Sequence, residues 1–280
     1  PRLLFLRGNF GNPRVLAAAF AHRPISTVYC LAAQASAHPK AAPPRYTESS
    51  NLLAPRLLLE AMRRHGVRSI VYASTLHVYG DAGGPDTPEH APYGTFRDLA
   101  HLSKCYVEKL LEMYAAQHGM RCVAARLGIV YGVSPVMKRD YRFMTAPNKF
   151  CLQLARGEAL ALYPGSERRA GFIHVADASA ALRQIAAHAG FAGYTPVNVA
   201  SEWTTVATVA AIATETARRL GLIAAASTGG LETVAAAGAR LAGTGFRSRH
   251  NLSDSLGEVL EYFSRVERGG REAEPGLVAS

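Results

Sequence analysis

Only four cysteines, one tryptophan and no long apolar run occur in this chain, and each scarcity closes off a class of protein. Cys30, Cys105, Cys122 and Cys151 are dispersed, so none has the close partner that a redox C-x-x-C or a zinc knuckle requires. Three of them lie in apolar segments, where a free thiol behaves as a small hydrophobe. Reduced, buried thiols, no metal and a cytoplasmic location are therefore expected. No apolar stretch reaches the ~18 residues that cross a bilayer, so no membrane partner is expected either. Acidic residues are also in short supply, 21 against 31 basic ones, for a net charge of +10. That balance suits nucleic acid, an acidic surface or phosphate-bearing small molecules. The basic clusters are short (Arg63-Arg64, Lys138-Arg139), and neither zinc-finger spacing nor an aromatic RNA-binding box accompanies them. Nucleic acid is accordingly not an expected partner. The first residue is Pro1, and the chain enters an apolar run at Leu3 almost at once, which reads as a product cut from something longer.

What is present is an alternation. Apolar runs at 3–6, 27–31, 69–73 and 122–127 read as buried strands. Helical patterns at 13–21, 51–65 and 99–118 fall between them; the second sets Leu53, Leu57, Leu58 and Met62 against basic residues and stops at Gly66. Strand–helix–strand alternation builds an α/β fold, a doubly wound parallel sheet whose ligands sit at the carboxyl ends of the strands. After about Tyr131 the rhythm changes, with prolines at 135, 147 and 164 and helices expected at 148–156, 175–188, 204–220 and 252–263. The last carries Leu256, Val259, Leu260 and Phe263 on one face, with Asn251 or Ser253 as its cap. Residues 224–245 have weak periodicity and read as helix or loop. We divide the chain into a sheet domain at 1–132, a smaller lobe at 133–268 with segments returning to the first domain, and a flexible tail at 269–280.

The strongest chemical signal is Val71-Tyr72-Ala73-Ser74-Thr75-Leu76-His77-Val78-Tyr79-Gly80, followed at a distance by Ser103-Lys104-Cys105-Tyr106-Val107-Glu108. The first places hydroxyls at a strand end; the second puts a lysine on a long helix able to reach the same edge. Together they resemble the extended short-chain dehydrogenase/reductases, in particular the nucleotide-sugar epimerases and dehydratases. There a strand ends in small hydroxyl residues before Val-Tyr-Gly, and a helix carries Tyr-x-x-Ser-Lys. Further segments are similar in register: Leu6-Arg7-Gly8-Asn9-Phe10, Thr27-Val28-Tyr29-Cys30-Leu31-Ala32-Ala33, Asn51, Arg126-Leu127-Gly128-Ile129-Val130-Tyr131-Gly132, Phe172-Ile173-His174-Val175-Ala176-Asp177 and Pro196-Val197-Asn198-Val199. The likeness runs from about residue 3 to about 265.

The resemblance implies a Rossmann-like sheet, N-terminally truncated, with a small C-terminal α+β substrate lobe. It implies NAD as cofactor, NADP remaining open, and a nucleotide sugar as small-molecule partner. Cofactor contacts are expected from Asn9, Phe10, Leu31, Ala32, Ala33, Asn51, Ala73, Ser74, Lys104 and Val130. Thr75 would hold the substrate oxygen, and Lys104 would bind the nicotinamide ribose and lower the pKa of a proton acceptor. A homodimer through the two long helices at 51–65 and 99–118 is also implied.

Three departures from the family pattern bear on activity. The catalytic tyrosine, four residues before Lys104, is Ala100 here. His101 is adjacent and is of a residue type able to exchange a proton, but consecutive helix positions point about 100° apart; it is either the acid/base or an exposed helical histidine. The pyrophosphate-binding glycine loop is not matched; Gly8-x-x-Gly11 lacks the third glycine and fits the later turn better. Ile129 replaces the family's substrate-binding Asn, and Ala176 replaces an Asp. A catalytically silent binding protein and a related reductase with a non-sugar substrate therefore stand as alternatives. The bland roles stay open beside the functional ones: Thr75 as a strand-end hydroxyl, Lys104 as a solvated lysine, Asn51 as a helix cap and Asp177 likewise, and His174 as a structural residue.

Overall fold

A computed structural model of the chain describes residues 3–36, 41, 43–96, 98–223, 234–235 and 239–268. From the amino end the elements are α1 (Pro13–His22), β1 (Val28–Cys30), α2 (Pro44–Glu48), a π-helical turn (Ser49–Leu53), α3 (Ala54–Arg64), β2 (Ser69–Thr75), a 3-10 helix (Leu76–Ala82), α4 (Leu99–His118) and β3 (Arg121–Leu127). There follow β4 (Ile129–Tyr131), α5 (Ala146–Ala155), β5 (Arg169–His174), α6 (Val175–Ala187), β6 (Tyr194–Val199), β7 (Glu202–Thr205), α7 (Val206–Arg219), β8 (Val234–Ala235), α8 (Ala239–Gly243) and α9 (Leu252–Arg268). Two compact units divide the chain, one of Pro1–Gly128, Ala178–Ala200 and Ala237–Arg247, the other of Ile129–Asp177, Ser201–Ala236 and Ser248–Ser280.

The first unit is built on an all-parallel sheet in the order β1-β2-β3-β6. β2 and β3 pair along their whole length, from Ser69 opposite Arg121 to Thr75 opposite Leu127. Ile70, Val71, Tyr72, Cys122, Val123 and Ala124 are buried. A strand covered on both faces has no solvent side to alternate with, which is why these runs are continuously apolar. Leu58, Leu59 and Met62 of α3 and Leu111 and Tyr114 of α4 close one core cluster with Leu16, Phe20 and Met120. All four cysteines are free and buried.

The expected strand at residues 3–6 does not form. Leu3 is 82% exposed and Phe5 76%, in extended chain outside any ladder. β1 pairs only with β2, so the described residues offer this segment no neighbouring strand. An apolar run becomes a strand by packing against partners, not by composition. The helix expected from residue 51 is longer than its pattern: Pro44, at a first helical position, starts α2, and the π-helical turn carries the helix into α3. Pro is well accommodated at a first helical position, where its missing N–H would be unbonded anyway.

The second unit contains the sheet β4-β5-β7-β8, with β4 and β5 parallel and the remaining pairs antiparallel. Its core is formed by α5, α7 and α9, with Phe150, Cys151, Leu152, Ala213, Leu256, Val259, Leu260 and Phe263 buried. The apolar stripe read on α9 is therefore its core face, and Asn251 caps that helix by accepting from the Asp254 N–H at 2.9 Å. Most of residues 224–245 and all of 269–280 lie outside the described residues.

Candidate active site

β2 ends in two hydroxyls that go separate ways. Ser74 is buried and donates to the Glu108 carboxylate, inside the unit. Thr75 is half-buried and caps the 3-10 helix, accepting from the His77 N–H at 3.2 Å. Lys104, on α4, donates from Nζ to the Ala73 carbonyl at 2.7 Å and lies 4.8 Å from the Tyr72 ring centre. Burial pulls its ammonium down to about 8, offset only in part by Cys30 and Glu108. The structure thus brings Ala73, Thr75 and Lys104 to the carboxyl edge of β2, and turns Ser74 away from it.

Asn51 is a strut. Its Oδ1 accepts from the Gln34 N–H at 2.8 Å, and its Nδ2 donates to the Gln34 carbonyl at 2.9 Å and to Ser103 Oγ at 3.1 Å. It ties the chain that leaves β1 to α4, and leaves Leu31 and Ala32 exposed and Ala33 half-buried. Gln34 Oε1 is buried without a hydrogen-bond partner. Asn9 is exposed, its Oδ1 accepting from the Gly11 N–H at 2.8 Å, while Phe10 packs on the core. Residues 8–14 do not form a phosphate cradle: Pro13 has no N–H, and the Arg14 N–H is taken by Asn12 Oδ1 at 2.9 Å.

A second group, unread in the sequence apart from His101, gathers at the start of α4. Asp98 caps this helix through Oδ1, which accepts from the His101 N–H at 2.8 Å. Its other oxygen, Oδ2, lies 2.6 Å from His101 Nδ1. Burial would raise the Asp98 carboxyl, but these two bonds hold it below the usual carboxylate range. The His77 ring lies 4.6 Å from that of His101. Both rings line a cavity of about 190 Å³ together with Asp81, Thr95, Phe96 and Asp98. Two glycines let its walls close. Gly80 takes φ 59°, and a Cβ on Gly94 would stand 2.2 Å from the Tyr79 carbonyl oxygen. Ala100 is buried, its carbonyl accepting from Ser103 Oγ at 2.6 Å. The visible signal was an Asp three residues before a His at a helix start, the spacing of an N-cap and its N3 residue.

Behind the strand ends lies a closed ionic network. The Glu108 carboxylate, fully buried, accepts from Arg126 Nη2 at 2.6 Å, Tyr194 Oη at 2.8 Å and Tyr93 Oη at 3.0 Å, besides Ser74. Arg126 Nη1 also donates to Tyr79 Oη at 2.6 Å and to the Glu89 carbonyl at 2.9 Å. Burial alone would lower the Arg126 pKa; the bonds to Glu108 and Tyr79 instead raise it above the ordinary arginine value. This network holds β2, β3, β6 and α4 in register.

In the second unit, Val130 lies on β4 with its carbonyl accepting from Thr145 Oγ1 at 2.8 Å, and Ile129 pairs with Phe172 of β5. His174 stacks on His250 at 4.1 Å, and Asp177 accepts from Ser248 Oγ at 2.9 Å and from the N–H groups of Arg249 and His250 at 3.1 and 3.0 Å. Asp177 thus fastens the 248–250 loop. Among the described residues no cluster of His, Cys, Asp and Glu is arranged to hold a metal ion, and no helix is long and apolar enough to cross a membrane.

A parallel sheet flanked by helices, with a lysine and a threonine at one strand's carboxyl edge, defines a Rossmann-like α/β protein of the dinucleotide-binding class. Residues 2–200 match the model of the NAD dependent epimerase/dehydratase family, and the chain belongs to that family. Among curated relatives, a UDP-glucose 4-epimerase of Neisseria meningitidis is 32% identical over 107 residues, covering 38% of this chain and 32% of its own length. The first relatives match over only 32% to 38% of their own lengths. Among solved structures, the UDP-glucose 4-epimerase of Thermotoga maritima with UDP-glucose superposes with a TM-score of 0.78 at 21% identity, covering 94% of this chain and 85% of that one. The Thermus thermophilus enzyme in complex with NAD gives 0.76 at 24% identity, covering 96% and 86%.

Proposed function

We propose that this protein binds NAD and acts on a nucleotide sugar, oxidising a sugar carbon as part of an epimerase or dehydratase reaction. The observation that carries the reading is the placement of Lys104. A partly buried ammonium sits at the carboxyl edge of β2, hydrogen-bonded to Ala73 O at 2.7 Å, next to the half-buried hydroxyl of Thr75. The residues present fit the nicotinamide half of the cofactor: Lys104 for the ribose hydroxyls, the exposed chain at Leu31 and Ala32 beside it, and Thr75 for the substrate oxygen. They do not supply a pyrophosphate cradle at residues 8–14, where Pro13 and Asn12 leave no free N–H pair. When bound, NAD supplies the hydride acceptor. The chain's own residues bind and orient: the Thr75 hydroxyl donates to the carbinol oxygen as negative charge develops there, and the Lys104 ammonium fixes the ribose.

Two further features complete the reading. Leu102, Tyr106 and Met113 of α4 are exposed, at 49%, 42% and 41%, and recur at helical spacing. With exposed Leu53 before α3, they support a homodimer through these helices. Four buried free thiols support a cytoplasmic setting. Ala100 favours a second reading, a silent binding member of the family, because an alanine carries no proton. The test is incubation with NAD⁺ and UDP-glucose or UDP-galactose, following sugar interconversion and NADH formation. The proposal expects NAD-dependent conversion, reduced roughly 100-fold in Thr75→Val. A folded, NAD-bound protein that converts neither sugar, and gains activity as Ala100→Tyr, would establish the silent reading instead.

A further inference from the structure

The cavity at the start of α4 contains an arrangement of chemical groups that this reading has not used. A carboxylate only accepts hydrogen bonds, so the Asp98 Oδ2 contact at 2.6 Å requires the proton of neutral His101 to reside on Nδ1. The lone pair is thereby left on Nε2. Asp98 cannot swing away, because its Oδ1 is engaged by the His101 backbone N–H as the cap of a 20-residue helix. One carboxylate therefore fixes both the backbone and the ring of the same histidine. His77 covers a side of that ring, and its backbone N–H donates to Thr75 Oγ1 at 3.2 Å, so the cavity begins two residues from the hydroxyl assigned to the substrate oxygen. Thr95 and Phe96 supply a hydroxyl and an apolar ring on the same cavity of about 190 Å³. That volume and that mixture of polar edges with one apolar face suit a single sugar ring.

We propose that His101, oriented by Asp98, is the proton acceptor of this protein and takes the role that Ala100 withholds, with a sugar hydroxyl as its partner in the cavity. The inference rests on the NAD-dependent reading above. In the step, the substrate O–H bond breaks and its proton passes to His101 Nε2. The C–O bond becomes a carbonyl as the C–H hydrogen departs with its electron pair to the oxidised nicotinamide. The resulting imidazolium faces the Asp98 carboxylate, and the reverse step returns the proton. His77 and Asp81 from the 3-10 helix, and Asp98 from the start of α4, are the titratable groups that line the cavity with His101. Asp98 is a positioning residue, since it acts through His101.

The test has two readouts on the intact chain. Imidazole ¹⁵N NMR is expected to show His101 as the Nδ1–H tautomer at pH 7.5, and to show its Nε2 signal shift when UDP-glucose is added with NAD⁺. Asp98→Asn, which keeps a capping oxygen, should weaken the preference of His101 for the Nδ1–H tautomer in the same spectrum. In turnover with UDP-glucose, His101→Gln should cut kcat by roughly 10²-fold or more and abolish the acidic limb of the pH profile, with NADH affinity within twofold of wild type. Asp98→Asn should shift that limb and lower kcat about tenfold, within the range expected for general base support. If wild-type protein turns over and His101→Gln keeps both rate and acidic limb, the assignment of His101 is overturned while the NAD reading stands. An Nε2–H tautomer unaffected by UDP-glucose overturns it equally. If the folded protein binds neither NADH nor UDP-glucose, the NAD reading fails and this assignment falls with it.

Discussion

Asp98, the cap of α4, and Glu108, ten positions later on the same helix, are used in opposite ways. Glu108 is fully buried and surrounded by donors from three strands and a loop, with Arg126 opposite it at 2.6 Å. Asp98 is partly exposed, and both its oxygens are spent on one histidine beside a cavity. A saturated, dry carboxylate has no capacity left for a ligand, and serves to hold strands to a helix. A half-exposed carboxylate that aims a titratable ring at open space retains its chemistry. Exposure and saturation of partners, more than residue type, separate structure from function along this helix.

The largest effect should come from breaking the buried pair. Glu108→Gln leaves Arg126 charged in a dry site and is expected to cost about 3–5 kcal/mol, measured by urea unfolding. A loss below about 1 kcal/mol would mean that water reaches the pair and the contrast with Asp98 is lost. Next in size is Gly94→Ala, whose new methyl would meet the Tyr79 carbonyl; a loss of about 1–3 kcal/mol is expected from overpacking. Smaller still is Asp98→Ala, which removes a helix cap for about 1 kcal/mol, whereas Asp98→Asn should cost only a few tenths. Equal losses in the two variants would show that the ring contact, not the cap, dominates the role of Asp98 in stability.

A fourth effect sharpens the comparison from the second unit. Burial, with His250 beside it, holds His174 below the ordinary histidine value. A histidine whose folded pKa lies below its unfolded one binds fewer protons when folded, so stability is retained above about pH 6.5 and declines as the pH falls below it. Thermal unfolding at pH 7.5 and 5.5, with the His174 imidazole titrated by NMR, checks this. A midpoint at or above the unfolded value would remove the effect.

Much of this architecture was readable from residue order. Continuous apolar runs at 69–73 and 122–127 announced strands covered on both faces, and the stripe Leu256, Val259, Leu260 and Phe263 announced the buried face of α9. Thr75 and Lys104 were singled out through the family resemblance, and the structure brings both to the carboxyl edge of β2. Leu3 to Leu6 misled, because composition records a strand's appetite for partners and not whether partners are there. Ser74 and Thr75 were indistinguishable in sequence, although one hydroxyl points to Glu108 and the other caps a turn; alternation along a strand settles that only once the faces are known. Asp98 escaped notice because a capping residue looks like any loop aspartate until the ring it orients is placed beside it. Glu108 and Arg126 appeared only as letters in motifs, since a long-range ion pair leaves no local pattern.

Every role proposed for this site requires that the edge around Thr75 and Lys104 receive a dinucleotide. Titration of the folded protein with NADH at pH 7.5, followed by the change in nicotinamide fluorescence and repeated with Lys104→Met, tests this directly. We predict saturable binding in the micromolar range, weakened about tenfold or more in the variant through loss of a charge-assisted hydrogen bond. A well-folded wild-type protein with no saturable change would contradict the account.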